Sequence, residues 1–108
     1  MTDFVQVSTT AGTADEAHRI ATALVERKLA ACVQIIPQAH SIYRWQGEVE
    51  QAQESLCLIK TRRTLVGQVE AAIRELHSYD CPEIIVVAIE SASASYLRWM
   101  DEQLSDGN

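Results

Sequence analysis

The sequence predicts an α+β sandwich, with helices laid on one face of a mostly antiparallel sheet. Three observations predict it. Short β-branched or alternating runs flank two amphipathic helical stripes, in the order strand, helix, strand, strand, helix, strand. Two long alternating segments meet at Gly47, the pattern of a hairpin. The chain has 108 residues, 47% of them hydrophobic, which is one domain's length with enough apolar content for a core. Residues 1–108 are accordingly read as a single domain.

The first strand runs from about Phe4 to Thr9, with Phe4, Val5 and Val7 apolar. Thr13 followed three residues later by Glu16 is a capping-box pattern. Ala17, Ile20, Ala21, Leu24 and Val25 then recur at helical spacing, so a helix is expected to about Leu29. CVQIIP, from Cys32 to Pro37, reads as a strand, and Pro37 marks an edge, a bulge or a break because it has no N–H to donate. SIYRWQGEVE enters the hairpin turn, and the long return strand ends in the buried run Ser55 to Thr61. A second helix, about Thr64 to His77, carries Leu65, Val69, Ala72, Ile73 and Leu76 on one stripe. EIIVVAIE follows, apolar on both faces, which predicts a central or doubly covered strand. A last helix spans about Ser93 to Leu104, and the polar SDGN is expected to fray.

This βαββαβ order is that of the split βαβ, ferredoxin-like sandwich, here with a long β-hairpin and an extra C-terminal helix. Two helices cover one sheet face, and a third covers the other poorly. The hairpin over residues 38–60 is longer than one such domain needs. Open edges and an uncovered face together predict an oligomer.

Composition excludes several classes. The net charge is -6 and the pI is near 4.9, against a phosphate-binding surface and so against nucleic-acid partners. No segment approaches the roughly 20 apolar residues of a membrane span. The N-terminus shows no signal-peptide pattern, and three cysteines make no disulfide framework, so a cytoplasmic protein is expected.

The chemistry-bearing residues are few. Cys32, Cys57, Cys81, His18, His40 and His77 form no C-x-x-C or H-x-x-x-H pair, so any metal site draws on distant parts of the chain or on several chains. His77 and Cys81, four apart across a turn, are either a chelating pair or a helix cap beside a loop thiol. Cys32 and Cys57 sit in strands, where free cysteine ordinarily acts as a small hydrophobe. Tyr43 and Trp45 project from one strand face and either line a pocket or fill a subunit interface. Lys60 and Arg62 share a face and either bind an anion or end a solvated strand. Asp80 and Glu83 bracket Pro82, as turn residues or as an acid–base pair. Four glycines leave no room for a phosphate-cradling loop.

Taken jointly, KLAACVQIIP, SIYRWQGEVEQ, LCLIKTR, HSYDCPEI and YLRWM resemble the CutA family of divalent-cation tolerance proteins, in order and spacing, over most of residues 5–100. The resemblance implies a ferredoxin-like fold and a tight homotrimer whose long hairpins pair between subunits. It implies copper or other divalent-cation binding, not obligate, within a response to metal ions, and no enzymatic activity. Residue by residue, it places Cys32 at the family's cysteine, Tyr43 and Trp45 at its hairpin aromatics, and Lys60 and Thr61 at its strand-end KT. His77, Tyr79, Pro82 and Glu83 fall on its H-x-Y-x-x-P-E loop. Asp80 replaces a usually larger Glu or Gln, and Cys81 stands where Thr or Val is common, which sets Cys81 aside as a shared ligand. His77 and Cys32 are then the expected metal ligands. Tyr43, Trp45, Lys60, Arg62, Tyr79 and Glu83 are the expected ligand-pocket or subunit-interface residues. The alternative is a small-ligand-binding signalling trimer like the similarly folded PII-type regulators, holding an anionic metabolite on Lys60 and Arg62.

Overall fold

The structure, a computed structural model, describes residues 2–106. Gly107 and Asn108, the end of the expected polar tail, lie outside the described residues. Strand β1 spans Phe4–Ala11, helix α1 Ala14–Glu26, strand β2 Cys32–Trp45 and strand β3 Glu48–Arg62. A 3₁₀ turn at Arg63–Leu65 leads into helix α2, Val66–Leu76; strand β4 is Ile85–Ala88 and helix α3 Ala94–Gln103. The sheet order is β2-β3-β1-β4 and every pairing is antiparallel, the order of the split βαβ. Among the described residues no helix is long and apolar enough to cross a membrane.

Local chemistry sets the boundaries. The Thr13 hydroxyl accepts the Glu16 N–H (3.1 Å) and starts α1. That helix stops three residues short of the expected Leu29, because Lys28 adopts a left-handed φ of 59° and the N–H groups of Leu29 and Ala30 fold back onto the Leu24 carbonyl. Gln46 and Gly47 both have positive φ, which closes a two-residue hairpin turn whose twist matches the strands. Ser105, expected in a frayed tail, is held, its N–H donating to the Lys28 carbonyl (2.9 Å).

Pro37 lies in an edge strand and at a bulge. Between Ile36 and Ala39 the chain takes three steps on β2 while β3 takes two, from Leu56 to Glu54. One inserted residue switches which side chains of β2 face which way. Before it, Cys32, Gln34 and Ile36 share a face with Lys60, Leu58 and Leu56; after it, Ala39, Tyr43 and Trp45 join that same face.

The core fills the other face. Val5, Val7, Cys57 and Ile59 of the sheet meet Ile20 and Leu24 of α1 and Val69 and Ile73 of α2, all fully buried. Helix α3 anchors near the end of β3 through the Arg62 guanidinium, which binds Asp101 (2.6 Å) and the Ser105 carbonyl (2.7 Å). It leaves much of the second face bare. Ile36, Ile85 and Val87 are exposed there, and the hairpin beyond Ser55 has no β1 partner and projects from a molecule 45 Å long and 25 Å wide.

Strand β4 departs from expectation. It is a four-residue edge strand paired only with β1, and Ile85 and Val87 are 51% and 56% exposed. Its apolar residues on both faces mark an uncovered edge of this chain and not a central position.

Substitution in the covered face should be costly. Ile59→Ala is expected to lose about 2–5 kcal/mol to transfer and cavity effects. Thr61→Val, which removes the buried hydroxyl donating to the Leu29 carbonyl (2.6 Å), should lose about 1–3 kcal/mol. Urea denaturation followed by circular dichroism reads both; a loss below 0.5 kcal/mol (roughly the surface value) would contradict the placement of the core.

Candidate functional site

The loop after α2 is tied down at three points. The His77 Nε2–H donates to the Thr10 carbonyl of β1 (2.6 Å), and its Nδ1 accepts the Tyr79 N–H (3.1 Å). The same Nδ1 also lies 3.2 Å from Glu16 Oε1 of α1. The Ser78 N–H and hydroxyl both donate to the Glu16 carboxylate of α1 (2.9 Å and 2.9–3.1 Å). The Tyr79 ring leans on the His77 ring at 4.7 Å, and its hydroxyl donates to Glu54 Oε2 of β3 (2.8 Å). Gly12 makes room for this: a side chain there would stand 3.1 Å from the Tyr79 oxygen.

Sequence reasoning missed two members of this network. Glu16 was visible as half of a capping box, but its carboxylate reaches the Ser78 loop, 62 residues on. Glu54 carried no sequence signal at all.

The tied loop walls a cleft of about 390 Å³. Tyr43, Trp45 and Glu54 come from the hairpin and Thr10 from β1. Tyr79, Asp80, Cys81 and Glu83 come from the loop. The β2 bulge matters here, since without its extra residue Tyr43 and Trp45 would stand on the opposite face from Glu54. A larger depression, about 700 Å³, runs along Asp15, His18, Arg19 and Glu26 of α1, but one helix forms it and no second element encloses it.

Electrostatics separate the groups. Burial raises the Glu16 pKa, but the Ser78 hydrogen bonds and the facing His77 and Arg19 outweigh it and hold the carboxyl below 4.5. Burial, then the hydrogen bond and charge of Glu54, push the Tyr79 phenol up to about 12, so it is a donor and not a base. Burial raises the Cys57 thiol and keeps it inert. Serine, glutamate and histidine do meet in this loop, but the hydroxyl bonds the carboxylate, the imidazole Nε2 faces the Thr10 carbonyl, and Nδ1 sits between the Tyr79 N–H and Glu16 Oε1 (3.2 Å). That order gives a brace, in which the hydroxyl is bonded to the carboxylate and not to the imidazole.

The expected site residues separate into groups. Tyr43, Trp45, Tyr79 and Glu83 line the cleft. Lys60 lies outside it, its ammonium on Gln34 (2.8 Å) near the Tyr96 ring, and Arg62 is occupied by Asp101 and Ser105. His77 is enclosed with both nitrogens engaged. Cys32, a half-buried free thiol, aligns through Lys60 with Gln6 of β1, four residues from Thr10, or roughly 13 Å at a strand's rise. One chain therefore does not bring His77 and Cys32 together, and among the described residues no three His, Cys, Asp or Glu side chains are grouped to hold a metal.

Comparison with known proteins gives one answer. The family described as CutA1 divalent ion tolerance protein matches residues 5–103. Over 86 residues, 80% of this chain, it is 46% identical to a divalent-cation tolerance protein CutA of Thermus thermophilus, covering 84% of that protein. It is 45% identical to a CutA homolog of Xenopus laevis over 80% of this chain and 57% of that one; the chain spans about half the length of the vertebrate relatives it matches. A crystal structure of CutA from Xylella fastidiosa superposes with a TM-score of 0.94 at 36% identity, covering 96% of this chain and all of that one. A structure described as the periplasmic CutA of Archaeoglobus fulgidus gives 0.92 at 37%, covering 94% and 99%.

The depressed Glu16 pKa has a readable consequence. Its ionised form contributes stability above the unfolded-state value near 4.5, and that contribution is lost as pH falls through the lower folded-state value. Glu16→Gln should therefore flatten the acid limb of a stability-against-pH curve below about pH 5. A variant whose acid limb overlays the parent's would show that Glu16 does not act through its charge.

Proposed function

Since the chain belongs to the CutA1 divalent ion tolerance family, we propose that it works as a homotrimer that binds copper or another divalent cation in the response to metal ions, without catalysis. The observation that carries the assembly is the bare sheet face with its projecting hairpin. Ile36, Ile42, Val49, Ile85 and Val87 are exposed there or on the hairpin, more apolar surface than an isolated chain ordinarily shows water. Edge strands β2 and β4 offer unpaired backbone to further copies.

The cation would be held by donors from more than one subunit. Cys32 is the first donor in this reading, a free thiol on the bare face that assembly brings towards its copies. His77 contributes only by giving up the Tyr79 N–H or the Thr10 carbonyl. In this reading the metal is not obligate, and residence in the cytoplasm keeps the three cysteines reduced. Within one chain Arg62 is paired with Asp101 and neither Lys60 nor Arg62 lines the cleft, so the PII-like alternative rests on an anion site formed between subunits.

Native mass spectrometry during Cu(I) and Cu(II) titration tests this reading by reporting subunits and metals together. The expected species is a trimer carrying one or three copper ions, with uptake lost in Cys32→Ser. A monomer, or a trimer taking up copper in variable numbers regardless of Cys32, would overturn it. His77→Ala is a poor substitute test. It orphans the Thr10 carbonyl and the Tyr79 N–H and should cost about 2–5 kcal/mol, read as a lowered melting temperature before any metal is added.

A further inference from the structure

We draw no further inference here: the strongest candidate, the acidic and aromatic cleft between the hairpin and the loop after α2, belongs to the face already given to the proposed trimer, and nothing in the structure shows what covers it there.

Discussion

A four-stranded antiparallel sheet has two faces, and this chain carries helices enough for one. Helices α1 and α2 bury Val5, Val7, Cys57 and Ile59 completely, while α3 is held near the end of β3 by Arg62. Much else about the molecule follows from that imbalance. The bare face exposes Ile85 and Val87, the hairpin projects without a β1 partner, and the free thiol of Cys32 stands on the same side. An antiparallel sheet commonly leaves a polar face to water, and this one mixes Gln6, Gln34 and Lys60 with exposed Ile36, Ile85 and Val87.

The second constraint is a single inserted residue. The bulge at Pro37 and Gln38 inverts the inside–outside pattern of the rest of β2. Tyr43 and Trp45 thereby share a face with Glu54, and the hairpin becomes one wall of a cleft. The other wall is the loop that His77 and Ser78 tie to β1 and α1. Its polar side chains thus stiffen the loop by hydrogen bonds to elements far away in sequence. The capping-box glutamate is diverted to the same purpose, which shows how one residue serves a local motif in sequence and a tertiary one in the fold.

Family membership and site chemistry bear on different questions. The match over residues 5–103 assigns the chain to the divalent-cation tolerance proteins. The geometry adds that His77, the most ligand-like residue of the HSYDCPEI loop, is enclosed, with Nε2 on the Thr10 carbonyl and Nδ1 between the Tyr79 N–H and Glu16. Lys60 and Arg62, read as an anion pair or a solvated strand end, hold Gln34 and the end of α3 in this chain. The cleft is left acidic and aromatic.

The sequence by itself determined the element order, the first helix's cap, the hairpin turn at Gly47 and the core stripes of α1 and α2. These are local: periodicity, capping and turn chemistry act over a few residues and leave their signature in the chain. Tertiary structure decided the rest. EIIVVAIE looks central by composition but is an edge, because strand order depends on which backbone pairs with which and not on hydrophobicity. The partners of His77 and Glu16 lie 67 and 62 residues away, and no spacing rule reaches that far. Pro37 announced an irregularity, but only the register with β3 showed that it inserts one residue and so chooses the face of Tyr43 and Trp45.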